Sequence, residues 1–136
     1  MSNKNISFKS DTENKNENSK PPFIHSYLKN GFLLDNKEFI GPIIVTNNKV
    51  VNWRLLSRNF SFSDFEFINK INYKPEFVLF GVGKKFDNPM FNLKSEFTKK
   101  NFSLEIMTTH SACRVWNLNI NDNRKIIGFF IPLNHF

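Results

Sequence analysis

A predicted strand runs directly into a predicted helix in residues 105–117, which read EIMTTHSACRVWN. The apolar run ends at Met107, a hydroxyl-rich turn follows, and a helical pattern begins at about Ser111. A helix that starts directly after a strand leaves its first N–H groups unpaired, which makes the junction a natural place for an anion or a polar group of a partner. No known catalytic motif is present there, so the stretch indicates a fold and a candidate site.

Two further apolar strands flank this junction in the sequence. Residues 76–80 form a continuous apolar run that ends at Gly81, and residues 125–132 are again apolar. Such runs are typical of strands that are buried on both faces. Helical patterns separate the strands, at 88–101 with Pro in the first turn and at 111–121. The order strand, helix, strand, helix, strand predicts a largely parallel sheet covered by helices.

The N-terminal half predicts two β-hairpins and a short helix. Residues 31–41 carry two apolar runs around a polar turn at Asn36-Lys37, and residues 42–53 carry two more around Asn47-Asn48, a pair that tolerates positive φ. The segment Ser63–Glu66 fits a capping box at a helix start. The predicted fold class is therefore α/β: three layers, with a mixed, mostly parallel sheet of about five strands, helices on its faces and N-terminal hairpins added to it.

Composition divides the chain into a polar tail and one domain. Residues 1–22 are rich in Asn, Lys, Glu and Ser and end in two prolines. They cannot bury enough apolar surface to offset their ordering entropy, so we expect them to be disordered. Residues 23–136 have the size of a single domain, and most of the 17 phenylalanines of the chain are available for its core.

The formal net charge of +7 raises the question of a nucleic-acid partner. The basic residues are scattered, however, and the adjacent pairs are only Lys84-Lys85, Lys99-Lys100 and Arg124-Lys125. Asn, Lys, Phe and Ile make up 65 of the 136 residues, a bias that resembles the codon usage of an AT-rich genome. We therefore expect a solvated basic surface and no nucleic-acid partner.

Cysteine, histidine and hydropathy patterns limit the other classes. One cysteine excludes an internal disulfide, and the histidines at 25, 110 and 135 lack metal-ligand spacing, so no metal or cofactor is predicted. No run approaches the ~18 apolar residues of a membrane span, and the N-terminal segment lacks the apolar core of a signal peptide. These patterns predict a cytoplasmic protein with at most peripheral membrane contact.

The candidate site combines two loops at the carboxyl ends of predicted strands, where open α/β sheets usually bind ligands. One loop spans 81–85, GVGKK, and the other spans 108–111, TTHS. If the preceding strands are neighbours, both loops and Arg114 line one crevice. The candidate binding residues are Gly81, Gly83, Lys84, Lys85, Thr108, Thr109, His110, Ser111 and Arg114.

Several of these residues have an equally ordinary structural interpretation. Gly81 and Gly83 fit a tight turn, because the third glycine of a dinucleotide fingerprint and the Walker motif are both missing. Arg114 suits either a salt bridge or the capture of a carboxylate or phosphate. Cys113 is expected to be a small buried residue, and the alternative is a nucleophile activated by His110 at the helix start.

The chain resembles a small α/β family that includes the mitochondrial complex I (NADH dehydrogenase) assembly factor 3, the adipogenesis-associated single-domain proteins and bacterial members of unknown function. The resemblance is carried by 105–107, Thr109, 112–114 and Asn117, preceded by 78–83. Where the family commonly has Asp-Thr-Gly, this chain has Thr-Thr-His. We expect the histidine to close the space that a glycine would leave, which argues against an inherited small-ligand site.

The resemblance implies a mixed sheet of about five strands and a non-catalytic assembly or interaction role around respiratory complex I. The implied partners are complex I subunits or assembly intermediates. The implied location is the cytoplasm, including the inner face of the inner membrane, or the mitochondrial matrix if the host is eukaryotic. The alternative is a small anion- or nucleotide-binding protein or enzyme that uses the crevice between the two loops.

Overall fold

The computed structural model describes residues 20–136, so residues 1–19 of the predicted tail lie outside the described residues. The described part contains eight strands, one 3-10 helix and two α-helices. In chain order these are β1 (Ile24–Tyr27), β2 (Gly31–Leu34), β3 (Lys37–Ile40), β4 (Ile43–Val45), β5 (Val50–Asn52), the 3-10 helix η1 (Phe62–Lys70), β6 (Val78–Gly81), α1 (Phe91–Lys99), β7 (Leu104–Met107), α2 (Thr109–Asn121) and β8 (Ile127–Phe130).

Five strands form the main sheet, in the order β5-β4-β8-β6-β7. Strand β6, which lies between β8 and the edge strand β7, is parallel to both of its neighbours, with Val78 paired to Leu104 of β7 and to Ile127 of β8. Strand β4 is antiparallel to β5 and to β8. The predicted α/β class and the mixed sheet of about five strands are confirmed.

The first hairpin does not join the main sheet. Strands β1, β2 and β3 form a separate antiparallel sheet, so the expectation that both hairpins extend the main sheet is wrong for the first. The reason is that β2 buries Phe32 and Leu34 in the same cluster as Trp116 of α2 and Phe130 of β8. Strand β1 was not predicted, because its sequence IHSY lacks a clear alternation of apolar and polar residues.

The main sheet is covered on both faces, which gives three layers. On one face, Phe65 of η1 contacts Phe80 and Phe129, with ring centroids 5.0 and 4.8 Å apart, and α1 completes the layer. On the other face, Leu79 and Phe130 pack with α2 and the small sheet. Alternate residues of each strand therefore enter two different clusters, as expected for strands buried on both faces.

The hairpin turns differ from the prediction in detail. The first lies at Asp35 and Asn36, which have φ of 47° and 69°, so it begins one residue earlier than predicted. The second is closed by Thr46, whose Oγ1 accepts the N–H of Asn48 at 3.3 Å, and neither Asn47 nor Asn48 adopts positive φ. Side-chain hydrogen bonding replaces the predicted backbone conformation.

The helix starts in the middle of the chain are also displaced. The cap of η1 is at Ser61, whose N–H donates to Oδ2 of Asp64 at 3.0 Å, and not at the predicted 63–66. Helix α1 begins later than predicted because Asn88 turns the chain first: its Oδ1 accepts the N–H of Met90 at 3.0 Å. Met90 then takes a left-handed φ of 54° before the helix begins.

Candidate functional site

Thr109 joins the two predicted loops. Its side chain is fully buried, and its Oγ1 accepts the N–H of Gly83 at 2.8 Å and donates to the carbonyl of Ile131 at 2.5 Å. Its own N–H donates to the carbonyl of Gly83 at 2.9 Å. The strands β6 and β7 are neighbours as predicted, but Thr109 fills the space between the loops that follow them.

The start of α2 is largely satisfied within the protein. Thr108 is the N-cap in extended conformation, and its Oγ1 accepts the N–H of Ser111 at 3.3 Å. The N–H of Thr109 is paired with Gly83, so two N–H groups of the first turn are already paired. The helix begins two residues earlier than predicted, and most of its anion-binding capacity is used by the chain itself.

Local packing and backbone conformation explain why glycine occupies positions 81 and 83. At Gly81, a Cβ atom would lie 3.0 Å from Cβ of Ala112 and 3.2 Å from Cδ1 of Phe130, so glycine allows α2 to approach β6 closely. Gly83 has a φ of +104°, which side-chain-bearing residues rarely adopt. Neither position depends on a ligand for its explanation.

His110 lies on the outside of the molecule. Its Nδ1 is hydrogen-bonded to the Tyr27 hydroxyl, and the two rings meet edge to face with centroids 5.3 Å apart. His110 therefore covers the outside of the helix start and does not enter the space between the loops. Because it is the second residue of α2, its side chain turns towards β1, while the preceding Thr109 faces inwards.

The rest of α2 holds the N-terminal strand in place, a role that sequence reasoning missed. The Asn117 amide pairs with both main-chain groups of Ile24: Oδ1 accepts its N–H at 2.9 Å and Nδ2 donates to its carbonyl at 2.8 Å. The indole N–H of Trp116 donates to the carbonyl of Pro22 at 2.7 Å. Pro22, the last residue of the predicted tail, is buried in the domain. The only signal for this role in the sequence was the spacing of Asn117 and His110, which places them on the same face of the helix, two turns apart.

Cys113 is buried, as predicted, with 4% of its surface exposed. Burial raises the pKa of its thiol to about 12, so the thiol is neutral at physiological pH. An activated nucleophile requires the pKa to move in the opposite direction. The packing role therefore explains this residue better than reactivity does.

The three predicted cations remain unpaired within the described part. Arg114, Lys84 and Lys85 are exposed, and none of their side chains makes a hydrogen bond or ion pair with any residue from 20 to 136. The salt-bridge interpretation of Arg114 is thus not observed there. Arg114 and His110 lie one turn apart on α2, whereas Lys84 and Lys85 line a cavity to which α2 contributes no residue.

That cavity, of about 510 Å³, opens where β6 and β8 end. We call it the basic cleft. Its lining residues are Arg58, Asn59, Phe60, Val82, Gly83, Lys84, Lys85, Phe86, Asp87, Asn88, Met90, Ile131, Pro132, Leu133, Asn134 and Phe136. Arg58 and Phe60 were not predicted, because no sequence pattern links them to a loop more than twenty residues later.

Two further observations concern residues 20–136 only. This part of the chain contains no group of three or more His, Cys, Asp and Glu side chains that could hold a metal ion. Neither of its α-helices has the length and apolar character needed to cross a bilayer.

The fold and the site define the class of protein: a three-layer α/β domain in which a second, small antiparallel sheet packs beside a main sheet that contains a βαβαβ unit. Residues 24–131 match a family described as protein of unknown function (DUF498/DUF598), and the chain belongs to this family.

Similar proteins come from bacteria and from animals. The 13 kDa major membrane protein of Francisella tularensis subsp. holarctica (strain LVS) is 27% identical over 112 residues, which cover 78% of this chain and 87% of that protein. NADH dehydrogenase (ubiquinone) 1 alpha subcomplex assembly factor 3 of Xenopus tropicalis is 21% identical over 111 residues, 81% of this chain and 61% of the relative. The chain thus spans only about three-fifths of the assembly-factor relative. The family resemblance seen in the sequence is confirmed.

A solved structure supports the fold. The crystal structure of a protein from Bordetella parapertussis has a TM-score of 0.74 at 16% identity, over 85% of this chain and 98% of that chain. At this identity the likeness establishes the fold alone.

Proposed function

We propose that this chain is a non-catalytic assembly or interaction protein that acts on subunits or assembly intermediates of respiratory complex I. The observation that carries the proposal is the similarity to relatives named complex I assembly factor 3, which extends over 81% of the chain in the Xenopus tropicalis protein. At 21% to 29% identity, these relatives support an assembly-factor-like role.

The outer side of α2 is the surface that we propose for the partner. We call it the α2 surface and define it by Tyr27, His110 and Arg114. The guanidinium of Arg114 has no partner among the described residues, and its planar fork suits a carboxylate of an acidic segment. The contacts of Asn117 with Ile24 hold α2 against β1 beside it, so little order has to be gained on binding.

The proposed place of action is the cytoplasm, including the inner face of the inner membrane, or the mitochondrial matrix in a eukaryotic host. The names of the relatives, a bacterial membrane protein and a complex I assembly factor, support a site near a membrane. The alternative function, ligand binding between the 81–85 and 108–114 loops, has less support because Thr109 occupies that space.

Affinity capture from the native host tests the proposal. We expect the wild-type chain to enrich complex I subunits or assembly factors in mass spectrometry, and Arg114→Glu to lose most of that enrichment. Arg54→Glu is the matched control, because Arg54 is also exposed and makes no ion pair with residues 20–136. Circular dichroism and thermal unfolding first establish that both variants are folded.

Two results would contradict the proposal in different ways. If the wild type enriches no complex I component, the assembly role is wrong. If folded Arg114→Glu captures the same proteins as the wild type, the role stands but the α2 surface is not where the partner binds.

A further inference from the structure

The basic cleft continues into a second cavity. This neighbour, of about 430 Å³, reaches Phe91 and Leu93 at the start of α1. The two cavities share the lining residues Arg58, Asn59, Phe60, Asn88 and Met90. The two cavities therefore form one continuous depression, which runs from the segment 131–136 to the start of α1. We call this depression the groove.

The charge of the groove is uncompensated. It carries three cationic side chains, Arg58, Lys84 and Lys85, and one carboxylate side chain, Asp87, and none of the four makes an ion pair with any residue from 20 to 136. Arg58 lies over the ring of Phe136, with its guanidinium carbon 5.7 Å from the ring centroid. This contact orients the guanidinium while its N–H donors stay available for a carboxylate.

The groove is also apolar, so it is more than a charged surface. Phe60 and Met90 are half-buried and shared by both cavities, and Phe60 is supported from below by Phe80, with ring centroids 5.0 Å apart. Phe86 and Phe91 are large apolar side chains left exposed along it. Methionine adapts its shape readily to an inserted side chain. An aromatic side chain of a ligand thus has a place to bind.

The loop along the groove has free main-chain groups. Lys84, Lys85, Phe86 and Asp87 make no hydrogen bond, by main chain or side chain, with any other described residue. Main-chain N–H and C=O groups of such a segment are available to pair with an extended peptide, as in strand addition to an exposed edge.

We infer that the groove docks an extended acidic segment of a partner protein, with an aromatic side chain placed on Phe60 and Met90. Three cations are few for a nucleic acid, whose affinity depends on many phosphate contacts. A peptide uses the charge, the apolar floor and the free main chain together. The inference rests on the proposed interaction role, names the chemistry of the partner segment, and does not require that the partner be a complex I component.

Titration of the full ¹⁵N-labelled chain with synthetic peptides tests the inference. The probe is the acetylated and amidated peptide DEFDEFDE. Its matched controls are NQFNQFNQ, which lacks the charge, and DEADEADE, which lacks the aromatic side chains. We expect DEFDEFDE to give saturable shifts of the amides of 58–60, 83–88 and 90–91, and each control peptide to bind at least about fivefold more weakly.

Charge reversal locates the site. Lys84→Glu/Lys85→Glu should weaken the binding of DEFDEFDE by about tenfold or more. Lys99→Glu/Lys100→Glu is the matched control, because it reverses the other adjacent lysine pair, which lines neither cavity. Its affinity should stay within about twofold of the wild type.

The inference is overturned by shifts that do not saturate or that lie outside the groove. It is also overturned if NQFNQFNQ or DEADEADE binds as well as DEFDEFDE, or if the two double variants lose affinity equally. The peptide titration and the capture experiment fail independently. Saturable binding in the groove without enrichment of complex I components would retain the docking site and refute the identity of the partner.

Discussion

Replacing Thr109 by valine tests whether this predicted binding residue is structural. Valine has the same shape but no hydroxyl, so the Thr109→Val variant leaves the N–H of Gly83 and the carbonyl of Ile131 without the partner each has at 2.8 and 2.5 Å. All three residues are buried, so water cannot readily replace the hydroxyl. An unpaired buried polar group costs about 1–3 kcal/mol. We therefore expect the free energy of unfolding to fall by about 2–4 kcal/mol, a large part of the ~5–15 kcal/mol of a typical domain.

Urea unfolding followed by circular dichroism measures this loss, with the m-value as a check that the unfolding transition is otherwise unchanged. Thr109→Ser is the informative comparison, because serine keeps the hydroxyl and removes one methyl group, at a cost of about 1 kcal/mol. Thr98→Val is the surface control, since Thr98 is exposed on α1. The reasoning is refuted if valine costs less than serine, because the hydroxyl would then not hold the loops together.

Two further predictions concern α2. Asn117→Ala removes the partner of both main-chain groups of Ile24. We therefore expect the free energy of unfolding, measured in urea, to fall by about 1–3 kcal/mol and the amide of Ile24 to exchange faster. The control Asn121→Ala, at the exposed end of the helix, should change neither quantity. Burial raises the pKa of Cys113 from 9.0 to about 12, so the unfolded chain releases the thiol proton first as the pH rises. Cys113 should therefore lower the free energy of unfolding above pH 9 by at most ~1.4 kcal/mol per pH unit, a contribution that Cys113→Ser removes, while alkylation of the native thiol at neutral pH should be slow. Fast alkylation, or equal slopes in both proteins, would contradict the buried, neutral thiol.

The parallel part of the fold was predictable because its signals are local. The apolar runs that became β6 and β8 are long enough to identify buried strands, and the hydroxyl-rich turn after Met107 locates the start of α2 to within two residues. The first hairpin was predicted as an element, but its place outside the main sheet was not, because burial of Phe32 against Trp116 depends on a contact distant in sequence.

The candidate site was predictable only in part. The neighbouring strands did bring Gly83 and Thr109 together, yet the sequence did not show that a threonine hydroxyl would occupy the space between the loops. Lys84 follows the end of β6, but it lines a cavity together with Arg58 of a different loop, and Arg114 is not among the residues that line it.

By itself the sequence determined the strands β2 to β8 and the three helices to within a few residues, and many of the buried residues, because apolar periodicity and turn chemistry act over a few residues. Only the tertiary structure decided which buried or polar groups meet. Thr109 and Gly83 are 26 residues apart, and Asn117 and Ile24 are 93 apart. A pattern of apolar and polar residues shows which face of an element is buried, but it does not show which partner buries that face. For this reason only the folded chain could reveal three features: the filled loop junction, the strand held by α2 and the groove beside Lys84.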